Sequence, residues 1–220
     1  MTFDRFIADF GSSAARDAAL AVACGAVDAP NPLYLYGGAG CGKTHLLRAI
    51  AGEVAARRPE AVVSLVDTRL ITSELVRAIR VQQLEAFREW LAVDVLLVDD
   101  FNLSARQEVT RRELFRTFSE LAAEGTQVVV AAHARPQGAT GTIVEITCAD
   151  AIARQEIARR AAEARGLHLH RDAIRYIAEQ VPGSPRELQG FMARLTAERE
   201  LLRRAVTSRR VVRLVAARSR

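Results

Sequence analysis

The segment Gly37-Gly38-Ala39-Gly40-Cys41-Gly42-Lys43-Thr44 fits G-x-x-x-x-G-K-[ST], the pattern of a phosphate-binding loop, or P-loop. In such a loop the glycines let successive backbone N–H groups point at phosphate oxygens, in front of a helix N-terminus. A short apolar run, Leu33–Tyr36, precedes the segment, and apolar residues at helical spacing follow it from Leu46 to Val54. The pattern requires this strand–loop–helix context, so the sequence predicts binding of a nucleoside triphosphate.

The P-loop contains the only lysine of the chain, although lysine and arginine together number 31. A bias towards arginine would have placed arginine at position 43 as well. A slim ammonium on a flexible stem can reach between the β- and γ-phosphates, whereas a planar guanidinium is too wide for the loop. Lys43 is therefore predicted to bind phosphate and to take part in catalysis. The predicted nucleotide-binding residues of this segment are Gly37, Gly38, Ala39, Gly40, Cys41, Gly42, Lys43, Thr44 and His45.

A second motif, Val95-Leu96-Leu97-Val98-Asp99-Asp100, is an apolar strand that ends in two carboxylates. In isolation it is consistent with a turn after a strand. Downstream of a P-loop it matches the second signature of nucleotide hydrolysis. Thr44 and Asp99 are then predicted to bind Mg²⁺, and Asp100 to orient the attacking water as a catalytic residue.

The composition sets limits on the class of protein. A chain of 220 residues that is 50% hydrophobic and 5% aromatic suits one α/β domain with a small appendage. The sequence has no run of 18 uncharged apolar residues, and Asp4, Arg5 and Asp9 do not fit a signal peptide. Its three cysteines lack metal-ligand spacing, which favours a reducing compartment. The predicted location is the cytoplasm, with no membrane partner.

Short β-branched runs alternate with helical patterns in the first two thirds of the chain, which predicts a parallel sheet with helices on both faces. The predicted strands are Leu33–Tyr36, Val62–Val66, Val95–Val98, Val128–Ala132 and Ile143–Ile146. The predicted helices between them are Ser13–Cys24, Thr44–Arg58, a broken Ser73–Trp90 and Arg106–Glu124. The predicted domains are an α/β nucleotide-binding domain (1–147), an all-helical lid (148–205) and a basic tail (206–220). The tail suits either contact with nucleic acid or a solvated helix end.

The lid is predicted to contain three helices. The first spans Asp150–Arg165, and Asp172 is a candidate cap for the second. The third opens at Ser184, with proline at the first helical position and glutamate three residues after the cap. Arg186 lies in that first turn, where a cation opposes the helix dipole. It suits either a solvated surface position or contact with a γ-phosphate if the lid folds over the nucleotide.

Several of these segments together resemble a known family. They are 42–47 (Gly-Lys-Thr-His-Leu-Leu), 94–100 (Asp-Val-Leu-Leu-Val-Asp-Asp), 185–190 (Pro-Arg-Glu-Leu-Gln-Gly), 2–7 and 31–34. They are similar to the AAA+ core of the bacterial replication initiator DnaA and its relative Hda, over residues from about 2 to 205. The resemblance implies a P-loop AAA+ fold and ATP or ADP with Mg²⁺ as cofactors. By the same resemblance, Phe6 and Ile7 line the adenine pocket and Arg186 is the nucleotide sensor of the lid. The helices at Ser73–Trp90 would be the insertion of the initiator and helicase-loader branch.

The sequence also departs from the family pattern. Family members carry an arginine finger on a helix between the fourth and fifth strands, and the finger completes a neighbouring subunit's site. Here only residues 137–142 separate Arg135-Pro136 from the fifth strand, which is too short for that helix. The family's acidic sensor aligns with Ala134, beside His133. We therefore expect the arginine finger to be missing.

Two further departures concern DNA. The basic residues with which the initiator grips single-stranded DNA align with Gln107 and Val109. Neither the helix-turn-helix domain of the initiator nor the clamp-binding peptide of Hda is visible in this sequence. We therefore expect this chain to contain neither.

Three functions remain open on this evidence. The first is an ATP-binding regulator of replication initiation that docks to a partner AAA+ protein according to its nucleotide, with slow or no hydrolysis alone. The second is an active ATPase of the helicase-loader or initiator type that binds single-stranded DNA through Arg77, Arg80, Arg106 and the tail. The third is an interaction domain that retains ATP as a folding ligand.

Overall fold

The computed structural model describes residues 3, 12–104, 107–147, 149–181, 184–202 and 211. Phe6, Ile7 and Arg106, and residues 206–220 apart from Val211, lie outside this part of the chain. The described residues belong to two compact units. The first lies within Met1–Phe6, Gly11–Gly38 and Gly42–Thr147, and the second within Ile7–Phe10, Ala39–Cys41 and Cys148–Arg220.

The first unit is built on a five-stranded sheet in which every neighbouring pair of strands is parallel. Its strands are β1 (Leu33–Tyr36), β2 (Val63–Asp67), β3 (Val95–Phe101), β4 (Gln127–Ala132) and β5 (Thr142–Glu145). Their order across the sheet is β2-β3-β4-β1-β5. This confirms the predicted α/β class and parallel sheet.

The described residues of the first unit form five helices. They are α1 (Ser13–Cys24), α2 (Lys43–Arg57), α3 (Thr68–Arg80), α4 (Leu84–Leu91) and α5 (Glu108–Ala123). The predicted break within the Ser73–Trp90 segment is confirmed, whereas its predicted start at Ser73 is wrong, because α3 already begins at Thr68. The side chain of Asp67 caps it by accepting a hydrogen bond from the backbone N–H of Arg69 at 2.8 Å. The chain then breaks between α3 and α4, where Gln82 has a φ of 56°.

The alternation of side chains along the strands explains why both faces of the sheet are covered. Tyr34, Leu96, Val98 and Val130 belong to one buried cluster with residues of α3, α4 and α5. Their neighbours along the strands point to the opposite face and are also buried. Helix α2 contacts β2, β3 and β4, and α1 packs on α2. The result is the predicted three-layer arrangement.

The second unit contains three described helices, α6 (Ala151–Glu163), α7 (Arg171–Gln180) and α8 (Pro185–Leu202). Alanine, leucine and isoleucine side chains of these helices share a small apolar cluster with Phe191 and Met192. Arg154 ties α6 to α7, because its guanidinium donates hydrogen bonds to the carbonyls of Ala178 and Val181. These carbonyls lie at the C-terminal end of α7, where they lack partners within the helix.

The helix starts in this unit differ in how well the sequence predicted them. Helix α8 begins at Pro185 as predicted, and Glu187 Oε1 accepts from the backbone N–H of Ser184 at 3.4 Å. The proposed cap of α7 at Asp172 is wrong. His170 has the extended backbone of a cap, with ψ 150°, and its Nδ1 accepts from the N–H of Asp172 at 3.4 Å. Asp172 instead lies in the first turn of α7, where its negative charge interacts favourably with the positive end of the helix dipole.

Two further observations concern the connection between β4 and β5 and the character of the described helices. Residues 133–141 are all described and contain no helix, as the short spacing between β4 and β5 predicted. Among the described residues, no helix combines the length and apolar character needed to cross a membrane.

Candidate nucleotide-binding site

The P-loop connects the end of β1 to the start of α2. Its first residue, Gly37, donates its backbone N–H to the carbonyl of Ala132 at the end of β4, at 3.2 Å. Gly40 and Gly42 have φ values of 73° and 111°, in the left-handed region that glycine adopts without strain. Gly42 is the N-cap residue of α2, so the backbone N–H groups of the first helical turn point towards the loop. Such a turn offers several backbone donors to an anion.

Lys43 lies inside this loop and is only 6% exposed. Its Nζ donates hydrogen bonds to the carbonyls of Gly37 and Gly38, both at 2.7 Å. A buried ammonium requires such acceptors, because an unpaired charge away from water is costly. The two carbonyls hold the charged head of Lys43 against the first two residues of the loop.

Thr44 and Asp99 come together at the end of β3. The Thr44 hydroxyl donates to Asp99 Oδ1 at 3.1 Å, and the same carboxylate oxygen accepts from the backbone N–H of Asp100 at 2.9 Å. A hydroxyl and a carboxylate are oxygen ligands of the kind that Mg²⁺ prefers. The described residues contain no cluster of three or more His, Cys, Asp or Glu side chains fit for a metal. Magnesium fits here in its usual manner, with one or two protein ligands and the remainder from phosphates and water.

Asp100 lies at an irregularity of the sheet that the sequence did not predict. The predicted strand Val95–Val98 is too short, since β3 continues to Phe101. Val98 pairs with Val130 and Phe101 pairs with Ala132, so β3 holds one more residue than β4 in this interval. This is a β-bulge, which re-aims side chains next to functional sites. Asp100 has a φ of 58°, in the left-handed region that is uncommon for a residue other than glycine.

The bulge brings Asp100 to His133, the first residue after β4. His133 Nε2 and Asp100 Oδ1 are 2.5 Å apart, and the backbone N–H of His133 donates to the carbonyl of Phe101 at 3.4 Å. Ala134, which aligns with the family's acidic sensor, is exposed. The sequence placed His133 beside Ala134 but did not predict its hydrogen bond with Asp100. The signal that could have found it is the first polar side chain after a buried strand.

Arg186 belongs to the second unit, together with Ala39–Cys41 of the P-loop. A Cβ built on Gly40 would lie 2.6 Å from the Cβ of Ser184 and 3.3 Å from the Cβ of Arg186. The start of α8 therefore lies directly against the P-loop segment of its own unit. Gly40 is required both by its backbone conformation and by this close approach.

The remaining predicted site residues fall into two groups. Cys41 is buried and His45 is partly buried within the P-loop and the first turn of α2. Phe6 and Ile7 lie outside the described residues, so their role at the adenine remains an expectation from the family resemblance.

The chain is similar to known replication proteins. Residues 1–144 match the bacterial DnaA ATPase domain family. The chain is 38% identical over 209 residues to the chromosomal replication initiator protein DnaA of Thermus thermophilus, covering 89% of this chain and 48% of that protein. It thus spans about half the length of the curated relatives that it matches.

Two solved structures extend the comparison. Domain III of the Thermotoga maritima replication initiation protein DnaA matches with a TM-score of 0.86 and 30% identity, covering 98% of this chain and 95% of that one. A replication initiator DnaA bound to AMPPCP and single-stranded DNA matches with a TM-score of 0.74 and 27% identity, covering 88% of this chain and 64% of that one. With its P-loop, parallel sheet and helical second unit, the chain belongs to the DnaA ATPase domain family of AAA+ proteins.

Proposed function

We propose that this chain is an ATP-binding regulator of replication initiation that docks to a partner AAA+ protein according to its bound nucleotide. One observation supports the proposal: the P-loop with its buried Lys43 and the Thr44–Asp99 pair occur in a chain whose β4–β5 connection, residues 133–141, has no helix. Such a protein can bind and respond to ATP, but it lacks the element on which the family presents an arginine finger.

The nucleotide site supports the first half of the proposal. The N–H groups of the P-loop and the ammonium of Lys43 would hold the phosphates. Thr44 and Asp99 would hold Mg²⁺, which neutralises charge on the phosphates when it is bound. Asp100 would orient a water for attack, and Arg186 would report the state of the γ-phosphate. Phe6 and Ile7 would contact the adenine, as in the family.

The β4–β5 connection supports the second half. Arg135 is the only arginine in residues 133–141, and its guanidinium lies 5.9 Å from the centre of the Tyr36 ring of its own chain. A cation–π contact of this kind holds the arginine locally. An arginine finger contributes about 10³–10⁵ to the rate in phosphoryl-transfer systems. Slow hydrolysis by the isolated chain follows, together with an inability to activate a neighbour.

Docking can be tested with immobilised chain loaded with Mg²⁺ and either AMPPCP or ADP. We expect full-length DnaA to be retained with one nucleotide at least about tenfold more strongly than with the other, which corresponds to about 1.4 kcal/mol. The matched control is the Lys43→Ala chain, which should show no difference between the nucleotides. Equal retention by the wild-type chain in both states would contradict nucleotide-dependent docking.

A second candidate function, binding of single-stranded DNA, is favoured by a cleft beside the nucleotide site. The cleft has a volume of about 660 Å³ and is lined by Thr68, Arg69, Thr72, Ser73, Val76, Asp100, Asn102, Leu103 and Gln107. Hydroxyl and amide groups with one arginine suit a nucleic-acid backbone. Against it stand the carboxylate of Asp100 and the absence of a base-stacking aromatic side chain among these residues.

The DNA function predicts a salt-dependent interaction. If the cleft binds DNA, we expect Arg69→Ala to weaken binding of an oligothymidylate severalfold. The slope of the logarithm of the binding constant against the logarithm of the salt concentration should become less steep by about 0.7, which is the change for one lost phosphate contact on a single strand. Filter binding at two salt concentrations measures both, with Arg57→Ala on α2 as the control. Binding that is undetectable at low salt, or unchanged in Arg69→Ala, would exclude the cleft as the DNA site.

A further inference from the structure

We propose that a groove between α3 and α4 is a docking site for an amphipathic helix of a partner protein. The docked helix inserts apolar side chains into the groove, with acidic residues towards α3 and basic residues towards α4. This inference goes beyond the proposed function and does not depend on it, since no residue that lines the groove belongs to the P-loop or to the Thr44–Asp99 pair.

The groove exists because a tight turn folds α3 and α4 into a hairpin. Gln82 has a left-handed φ of 56°, and two hydrogen bonds close the end of α3 around it. The N–H of Gln83 donates to the carbonyl of Ala78 at 2.8 Å, and the N–H of Gln82 donates to that of Ile79 at 3.3 Å. This pair of bonds is the Schellman motif of a helix end. The motif fixes the N-cap residue of α4, Gln83, against the last turn of α3.

The floor of the groove is part of the protein core. Ala78 and Phe87 line the groove and also belong to the buried cluster on this face of the sheet, with exposed fractions of 7% and 5%. The groove above them has a volume of about 360 Å³. Because its floor is held by the core, the groove is preformed, which lowers the entropic cost of binding a partner.

The walls of the groove are large apolar side chains that remain exposed. Leu70 and Val81 on the α3 side and Trp90 on the α4 side are 47%, 53% and 43% exposed. Apolar side chains that converge on one concave surface mark an interaction site more strongly than scattered ones do. Tryptophan is also among the residues that contribute most to binding at protein interfaces. The groove therefore suits an apolar partner surface.

The length and the walls of the groove favour a helix over an extended segment. Leu70 and Val81 are 11 residues apart in the sequence, which is about 16 Å along a helix. This distance matches three turns of a partner helix with apolar anchors at positions i, i+4 and i+7. An extended segment binds by main-chain pairing with a free strand edge, and both walls here are helices whose backbone groups are already bonded.

The two rims of the groove carry opposite charges. On the α3 side, Arg77 pairs with Glu74 at 3.1 Å, whereas the exposed Arg80, three residues further, has no ion pair among the described residues. On the α4 side, Glu89 lies three residues after Ala86 of the groove and is exposed, also without an ion pair in the part of the chain that the structure describes. A partner helix with acids on one flank and bases on the other complements these rims, and the charges fix its direction.

The same charges make a protein helix a better occupant than a nucleic acid. Glu74 lines the groove and Glu89 lies on its rim, and both carboxylates repel phosphates. Arg80 alone offers an unpaired cation, whereas binding to a nucleic-acid backbone needs several such contacts.

The test uses two synthetic helical peptides as probes. Both carry leucine at positions i, i+4 and i+7. The mixed peptide has glutamates on one flank and lysines on the other, and the basic peptide has lysines on both flanks. Trp90 is the only tryptophan of the chain, so its emission reports occupancy of the groove. We expect the mixed peptide to bind with a dissociation constant on the order of tens of micromolar. The basic peptide should bind at least about threefold more weakly.

Three variants locate the binding site, with anisotropy of labelled peptide as the readout. Val81→Asp places a charge in the groove and should weaken the mixed peptide at least about tenfold. Ile79→Asp is the matched control, because Ile79 is 49% exposed on the same helix but does not line the groove. It should change affinity by less than about twofold. Arg80→Glu makes both rims negative, so this variant should prefer the basic peptide. ATP affinity and the thermal midpoint should match wild type in all three.

Five outcomes would overturn the proposal. The first three are no saturable change in Trp90 emission up to about 1 mM mixed peptide, equal losses in Val81→Asp and Ile79→Asp, and an unchanged peptide preference in Arg80→Glu. The fourth is displacement of the mixed peptide by an oligothymidylate, which would assign the groove to nucleic acid. The fifth is a dimer in sedimentation that Val81→Asp dissociates, which would assign the groove to a second copy of this chain. A chain that binds ATP but not the peptide refutes this inference alone and leaves the proposed function standing.

Discussion

Replacement of Lys43 by alanine is expected to abolish measurable ATP binding. On binding ATP, the ammonium would exchange its carbonyl acceptors for phosphate oxygens. The alanine variant would lose two such charge-assisted hydrogen bonds, each worth about 1.5–3 kcal/mol, so affinity should fall by about 10²- to 10⁴-fold. The same change removes the two 2.7 Å bonds that tie the lysine to Gly37 and Gly38, so the conformation of the loop is affected as well. Isothermal titration calorimetry with Mg²⁺ and ATP measures the loss directly.

Two matched variants define what Lys43 contributes. Lys43→Arg keeps the charge but widens the head, and it should bind almost as weakly as the alanine variant. Arg48→Ala removes an exposed cation from the same helix and should bind as wild type. A second readout uses the fact that this chain has one lysine: an acyl-phosphate derivative of ATP should modify the side chain at position 43, and excess ATP should prevent this. An alanine variant with wild-type affinity would refute the proposed site.

Addition of a finger donor is expected to produce the largest effect on rate. The chain loaded with γ-labelled ATP should release phosphate slowly alone. It should release phosphate about 10³-fold faster or more with a full-length DnaA whose own P-loop lysine is replaced. We expect this because residues 133–141 contain no helix to present an arginine to a neighbouring copy, whereas the family resemblance implies that a complete initiator carries one. Rapid-quench measurement of labelled phosphate gives both rates.

The control for this experiment is a donor that also lacks its finger arginine, which should not stimulate. The stimulation should also run in one direction only: this chain should not accelerate hydrolysis by an intact DnaA. Brisk turnover by the purified chain alone, or stimulation of an intact initiator by this chain, would contradict the proposed regulator.

The sequence predicted those elements best whose signals are local. Strand β1 and helix α1 have the predicted bounds, because an apolar run and a helical pattern with a following Gly25 mark them clearly. The prediction failed at the start of α3, because the predicted helix begins at Ser73 and leaves Thr68–Thr72 outside it. In the structure the side chain of Asp67 caps this helix, and Thr68 donates to the carbonyl of Asp99 at 2.9 Å. The cap and this tertiary contact together place the start of the helix at Thr68.

In the candidate site, too, the sequence predicted the features with local signals and missed a feature that depends on strand pairing. The parts contributed by the P-loop and the first turn of α2 are contiguous in the chain, and a glycine-rich turn before a helix depends on backbone conformations that neighbouring residues dictate. The approach of Thr44 to Asp99 was also predictable, because the second motif has a known place at the end of a parallel strand. What no local pattern revealed is that β3 carries an extra residue against β4.

Residue types and their spacing therefore predicted, from the sequence alone, the P-loop α/β fold that the structure has, with Lys43 inside the loop. They also predicted that no helix lies between β4 and β5, and residues 133–141 contain none. Only the tertiary structure decided that Asp100 and His133, 33 residues apart, form a hydrogen bond. The physical reason is that strand register belongs to a pair of strands: one extra residue in β3 turns a carboxylate towards the end of β4, and neither strand encodes that alone.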